Sequence, residues 1–242
     1  MMRHDSFLAS WLFAIFSLLL AGAALADGVL LSATGTVHVQ KVFGGSKIVG
    51  PGATLKAGET ISVEKGGTAH IRFTDGSELV LKPGTRVKLD KYNYVESQPE
   101  NDAIAYSLVQ GGLRAISGAI GKRGNPDAYQ AKTPAGTIGI RGTQFIIISC
   151  EGGCPELLEG LPPEIAAQVK AGSVFFGVTE GSIQVSNAGG SGVFAAGQWG
   201  LMPAAGMPPI PIPPTPQIQK AFQASSSLGT LGVSRNANCK VR

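Results

Sequence analysis

Beyond the first 26 residues, the side chains with most chemical versatility are three cysteines, Cys150, Cys154 and Cys239, and two histidines, His38 and His70. Cys150-Glu151-Gly152-Gly153-Cys154 sets two thiols close together with flexible glycines between them. In an oxidising compartment such a pair closes into a small disulfide that pins a local loop. Two alternatives stand beside it. A redox pair wants a depressed thiol pKa, usually from Cys-x-x-Cys at a helix start, and the spacing here is one residue longer. A metal site needs further ligands, and the two histidines are the only ones of their kind on offer. Cys239 is unmatched, which leaves it to cross-link two chains or to sit free in the tail. A nucleophile needs a base and a group to orient it, yet the chain holds no Gly-x-Ser-x-Gly elbow and no His-Glu-x-x-His. Gly190-Ser191-Gly192-Val193-Phe194-Ala195 fits the loose dinucleotide pattern, but no helix follows to meet a pyrophosphate. Gly121-Lys122 lacks the rest of a phosphate loop. The expectation is therefore a protein that is not an enzyme, with no catalytic residue, no cofactor and no metal site.

The N-terminus sets the compartment. Arg3 and His4 precede an apolar run from Phe7 to Leu20, which gives way to small residues ending in Ala24-Leu25-Ala26. This is signal-peptide anatomy, with cleavage expected between Ala26 and Asp27. An uncleaved anchor is the alternative, since Phe7 to Ala26 approaches the ~20 apolar residues that span a bilayer. No cysteine follows the junction to take a lipid, and no later stretch is apolar enough to cross a membrane. The expected location is the periplasm or the exterior. The formal charge of +4 reads as ordinary solubility charge, with attraction to anionic envelope polymers or lipid headgroups as the alternative, and it is not the footprint of a nucleic-acid binder. Thirty-four glycines and a charged fraction of 15 %, against about 25 % in typical domains, favour tightly turned strands over helices.

The elements that must position these residues are short alternating segments divided by glycine turns. Thr36–Gln40 alternates, as does Thr68–Phe73, with Ala69, Ile71 and Phe73 on one face and His70 on the other. Asp75-Gly76 is a hairpin signal before Glu78–Leu81. Pro83-Gly84 precedes a strand over Arg86–Leu89. Gly111-Gly112 and Glu180-Gly181 read as further turns. Ile146-Ile147-Ile148 is apolar at consecutive positions, the pattern of a strand buried on both faces. Between Cys154 and Gly172 the pattern changes. Pro162-Pro163, then Glu164 to Ala171 with an acid first and a base last, predicts one short helix. From Pro203 the chain is proline-rich, which predicts a polyproline II spacer outside any central sheet, followed by one or two helical turns and a mobile tail. The domain reading is thus a leader at 1–26, a β domain at 27–200 with a helical insert at about 150–172, and a spacer with tail at 201–242. The fold class is all-β, a β-roll or sandwich of short strands.

The segments Gly35-Thr36-Val37, Ala57-Gly58-Glu59-Thr60-Ile61, Ala69 to Ser77 with its Asp75-Gly76 turn, Leu108 to Arg114, Lys132 to Gly136, Ile140-Arg141-Gly142-Thr143-Gln144-Phe145 and Val178 to Val185 with Gly181 occur in an order that resembles the FecR domain. That domain is a β-rich module of bacterial envelope proteins. The resemblance covers about residues 33–200. The motif residues Asp75, Gly76, Arg141, Gly142, Thr143 and Gly181 are expected to be structural, with Arg141 bridging carbonyls or a carboxylate at a strand end and ligand binding as its alternative. The resemblance implies sensing or scaffolding. The best-known members look like inner-membrane regulators whose cytoplasmic segment acts on a sigma factor, and whose periplasmic part contacts an outer-membrane transducer. Here a leader stands where that cytoplasmic segment would be, so the sigma-factor role is not carried over. The expected function is an exported binding module that recognises an envelope protein or glycan. A structural protein that self-associates through Cys239 or a strand edge is the alternative, and a polysaccharide-acting enzyme ranks last.

Overall fold

The computed structural model describes residues 27–226 apart from 124, 126, 152 and 153. The leader at 1–26 and Cys239 lie outside the described residues. In chain order the first strands are β1 (Gly28–Thr34), β2 (Val37–Gln40), β3 (Ser46–Val49), β4 (Thr54–Leu55), β5 (Thr60–Val63), β6 (Thr68–Phe73), β7 (Glu78–Leu81) and β8 (Arg86–Asn93). There follow β9 (Ala103–Ile116), β10 (Tyr129–Thr133), β11 (Gly136–Cys150), β12 (Ser173–Asn187), β13 (Gly190–Ala195), β14 (Trp199–Met202) and β15 (Ile210–Ile212). Short helices α1 (Pro155–Leu158) and α2 (Pro163–Ala166) stand between β11 and β12, and α3 (Pro216–Ser226) closes the described chain.

Among the described residues all fifteen strands hydrogen-bond into one sheet. It is folded into two layers by three long strands. The first half of β9 pairs with β8 and, in parallel, with β10; its second half pairs with β7 and β11. The first half of β11 pairs with β10 and the second with β9, while β12 follows β11 along its whole length. β12 then hands its two halves to β14 and β13. One layer therefore runs β4-β1-β6-β7-β9-β11-β12-β14-β15, and the other β3-β2-β5-β8-β9-β10-β11-β12-β13. The main core lies between them, with Leu30, Ile71, Leu79, Phe145 and Phe176 from one layer meeting Val39, Ile61, Leu89, Tyr106, Ile138 and Val185 from the other. The all-β roll expected from the sequence is what the chain forms.

The bends fall at glycines of positive φ, Gly111, Gly142 and Gly181. Gly111-Gly112 and Glu180-Gly181 were expected to reverse the chain. Instead each lies inside a continuous strand and carries it from one layer to the other. A glycine permits a positive φ whether the chain turns back or only bends, and the partner strands decide which. By contrast Asp75-Gly76 closes the β6–β7 hairpin as expected, with the Phe73 N–H donating to the Ser77 carbonyl at 2.8 Å.

A second core lies on the outer side of the first layer. Ile146, Phe175 and Leu201 pack there against Leu157, Leu161, Ile212 and Ile218. This is why the Ile146–Ile148 region is apolar at consecutive positions: Ile147 faces the main core and Ile146 the second one. The helix expected over 164–171 is shorter, α2 at Pro163–Ala166, and a further helix, α1, precedes it, because Pro155 and Pro163 each start one and Gly160 at positive φ separates them. The spacer expected from residue 201 also differs. β14 joins the sheet, and Ile210-Pro211-Ile212 pairs with it as an edge strand. Proline is tolerated at an edge, where one side of the strand needs no donor. Ile212 and Ile218 then anchor the proline-rich segment and α3 to the second core.

Candidate functional site

The residues singled out by sequence converge on one buried junction between the bends. The Asp75 carboxylate accepts the Ser77 N–H at 3.1 Å, the Ser77 hydroxyl at 2.7 Å and the Ile120 N–H at 3.3 Å. The Ser77 hydroxyl oxygen in turn accepts the Gly118 N–H at 2.8 Å. The Tyr92 hydroxyl accepts the Asp75 N–H at 2.8 Å and lies 3.3 Å from its carboxylate. Burial raises the Tyr92 phenol above the usual tyrosine range and the adjacent Asp75 charge adds to this, against the Thr74 hydroxyl bond, which lowers it. Thr143 ties the other side. Its N–H donates to the Ser117 hydroxyl at 2.7 Å, and its own hydroxyl lies 2.7 Å from the Ser182 carbonyl and 3.0 Å from that of Arg141. Gly181 packs so tightly on the Gly142 carbonyl that a Cβ there would collide with it. Buried polar groups must find partners, and here four bends satisfy one another.

Arg141 departs from the sequence expectation. Its carbonyl takes part in the junction, but its side chain is exposed and makes no ion pair among the described residues. The guanidinium borders a polar cleft of about 120 Å³ with Asp127, Gln130 and Gln184. The bridging role belongs to the backbone of Arg141–Thr143 because the positive φ at Gly142 turns that backbone inward.

Cys150 and Cys154 form the disulfide, with Cα atoms 5.1 Å apart, and both sulfurs belong to the second core. Beside them opens a larger cleft of about 500 Å³. One wall is the β7–β8 turn with Lys82, and the floor is the β9 bend at Gly111-Gly112. The other wall is Ser149 at the end of β11, with Glu151 and Glu156 beyond the disulfide. The sheet brings these distant residues together. The Lys82 N–H donates to the Gly112 carbonyl at 2.9 Å, and Ser149 lies opposite Gly111 in the β9–β11 register. A Cβ at Gly112 would come 3.1 Å from the Lys82 stem, so the missing side chain keeps the floor low.

Two features of this cleft suit recognition. Ser149 is 6 % exposed, yet its hydroxyl has no hydrogen-bond partner among the described residues. The Lys82 ammonium donates to the Ala221 carbonyl of α3 at 3.0 Å. Burial pushes that amine below the usual lysine range, while the Glu156 carboxylate across the cleft pulls the other way. The cleft thus presents a partly desolvated cation, an uncommitted hydroxyl and two rim acids, the mixture that holds a polar or zwitterionic segment by few directional contacts. Lys82, Ser149 and Glu156 carry no motif. Nothing in the sequence marks them, since only strand pairing makes them neighbours.

Among the described residues no helix is long and apolar enough to cross a membrane. No curated protein matches the chain in sequence. Two crystal structures of what is described as "a putative anti-sigma factor from Parabacteroides distasonis" align with it at 13 % identity. Their TM-scores are 0.44 and 0.47, covering 63 % and 68 % of this chain and 58 % and 64 % of theirs, so the chain spans less than two thirds of either. Residues 59–161 match the family described as FecR protein, a stretch that holds the Asp75-Gly76 hairpin, the β9 and β11 bends and the disulfide. Over residues 59–161 the chain is thus similar to the FecR domain, the resemblance that the ordered motifs carry.

Proposed function

We propose that this chain is an exported sensing module of the bacterial cell envelope, which recognises a partner protein in the cleft between the β7–β8 turn and the disulfide. Ser149 carries the proposal: a buried hydroxyl without a partner loses the stabilisation that a ligand's hydrogen bond would restore. Export draws support from the signal-peptide anatomy of residues 1–26 and from the Cys150–Cys154 disulfide, a bond that persists in oxidising compartments. The family supports a regulatory rather than a catalytic role, and the motif residues Asp75 and Thr143 spend their polar atoms inside the fold.

The cleft is tested in place rather than by deleting the insert, because Leu157 and Leu161 belong to the second core and their removal would expose it. A photo-crosslinking amino acid is introduced at Glu156 or Lys65 on the cleft rim, and at Val193 on β13 as a control, in cells that make the protein. The proposal expects one discrete protein adduct from positions 156 and 65 that position 193 does not give. A glycan-only adduct, the same adducts from all three positions, or none at all, overturns it.

A further inference from the structure

The β2–β3 hairpin projects an apolar tip that is largely exposed among the described residues. Phe43 is 94 % exposed, Val42 57 % and Ile48 70 %. A Cβ built at Gly44 or Gly45 would meet nothing within 4 Å, so the tip stands clear of the body. An exposed phenylalanine at the end of a hairpin is costly in water and calls for an explanation.

Its surroundings point to one. Lys41 and Lys47 flank the tip and are both exposed. Val42 reaches the Lys56–Glu59 turn, touching the position a Gly58 side chain would fill, and Lys56 is exposed there too. Lys88 and Lys91 follow on β8, whose Leu89 N–H donates to the Glu59 carbonyl at 3.0 Å. Three acids beside the lysines are engaged by the fold. The Asp27 carboxylate accepts the Ala57 N–H at 2.6 Å, that of Glu59 accepts the Lys56 N–H at 2.9 Å, and that of Asp90 is held by the Ser107 hydroxyl and Lys88. With Lys88 paired to Asp90, the cations this end offers outward are Lys41, Lys47, Lys56 and Lys91, all exposed.

The chain also enters the domain here. Asp27, the first described residue, donates its N–H to the Leu55 carbonyl at 3.1 Å, and the apolar leader ends one residue before it. The tip, the lysines and the exit point of the most apolar stretch of the sequence share one end of the molecule.

We propose that this end docks on an anionic phospholipid bilayer, with Phe43 and Val42 entering the interface and the lysines meeting the headgroups. An aromatic tip supplies apolar burial that does not depend on salt, and the lysines supply attraction that does. The surface is independent of the cleft, which lies at the opposite end of β2 and β5, where Glu64 and Lys65 follow β5.

The test is vesicle flotation with the chain from Asp27 to Arg242, which holds every described element of the fold. Vesicles are phosphatidylcholine alone, or phosphatidylcholine and phosphatidylglycerol in equal parts. Binding is expected to the anionic vesicles and to weaken with added salt. Replacing Lys41 and Lys47 by glutamine is expected to weaken it by about 25-fold, at about fivefold per lysine near an anionic surface. Phe43→Ser is expected to weaken binding to anionic vesicles even at low salt, with an unchanged circular dichroism spectrum. Equal binding to both vesicles, no binding, or indifference to Phe43→Ser overturns the proposal. Sedimentation runs beside it: a dimer that Phe43→Ser dissociates would assign the tip to a second copy of the chain instead.

Discussion

Gly76 and Gly181 both hold a positive φ, at 83° and 73°, yet for different physical reasons. At Gly76 nothing lies within 4 Å of a built Cβ, so only backbone conformation asks for glycine. At Gly181 the Gly142 carbonyl occupies that space, so conformation and packing both ask for it. Gly76→Ala should therefore cost about 1 kcal/mol, the penalty of an L-residue in the left-handed region. Gly181→Ala should cost about 3 kcal/mol or more, since strained backbone is joined by overpacking against an atom that cannot rotate away. Urea denaturation at constant m-value reads both. Equal losses would show that the β11–β12 crossing relaxes freely, against the tight junction described above. Phe43 is the opposite case at this scale, a side chain that nothing in the fold requires.

At the level of elements, the insert between β11 and β12 is tied to the body twice. The Cys150–Cys154 disulfide fixes its start, and Leu157 and Leu161 hold it to the second core. The bond closes a loop of only a few residues, so replacing both cysteines by alanine should cost about 2 kcal/mol by the loop-entropy relation. The loss should be local. Amide exchange should quicken in α1 and α3, which meet across the second core, while the amides of β2, β5 and β8 keep their protection. Uniformly faster exchange would mean that the insert and the main core unfold as one unit. The proline-rich segment is the clearest revision at this scale. β15 occupies an edge where Pro211 costs little and also discourages a further strand from pairing.

For the molecule as a whole, acid stability is set in part by one bridge between β6 and β7. Glu78 accepts the His70 ring nitrogen at 2.8 Å with one oxygen and the Arg72 guanidinium at 2.8 Å with the other. Burial acts to raise the Glu78 pKa, but the hydrogen bonds and charges of His70 and Arg72 outweigh it and hold the carboxyl below its ordinary 4.5. A carboxyl whose folded pKa is depressed stabilises the fold above its unfolded pKa, and that contribution is lost as pH falls through the folded value. Glu78→Gln should thus be less stable than the parent by roughly 1 kcal/mol near neutral pH. The gap should close as the pH falls through the depressed folded value, where the parent carboxylate also takes a proton. Denaturation curves across that range check it; a gap of constant size would exclude the ionic origin. At the same scale the two proposed surfaces lie at opposite ends of β2 and β5, so a domain resting on a membrane through the hairpin would hold its cleft away from the bilayer.

By itself the sequence determined the elements whose signals are local. Alternation marked β6 and β7 and their buried faces, Asp75-Gly76 marked their hairpin, consecutive isoleucines marked a strand covered on both sides, and Cys150 with Cys154 marked a disulfide. The ordered motifs were enough to indicate the FecR domain. Tertiary structure decided whether Gly111, Gly142 and Gly181 turn the chain or bend it, because a positive φ serves either and the choice rests with partner strands far away in sequence. It decided that Ile210–Ile212 is an edge strand, because it pairs antiparallel with β14 at the end of the sheet. It alone brought Lys82, Gly112, Ser149 and Glu156 to one cleft, since a site built by strand register has no spacing that a linear reading can find.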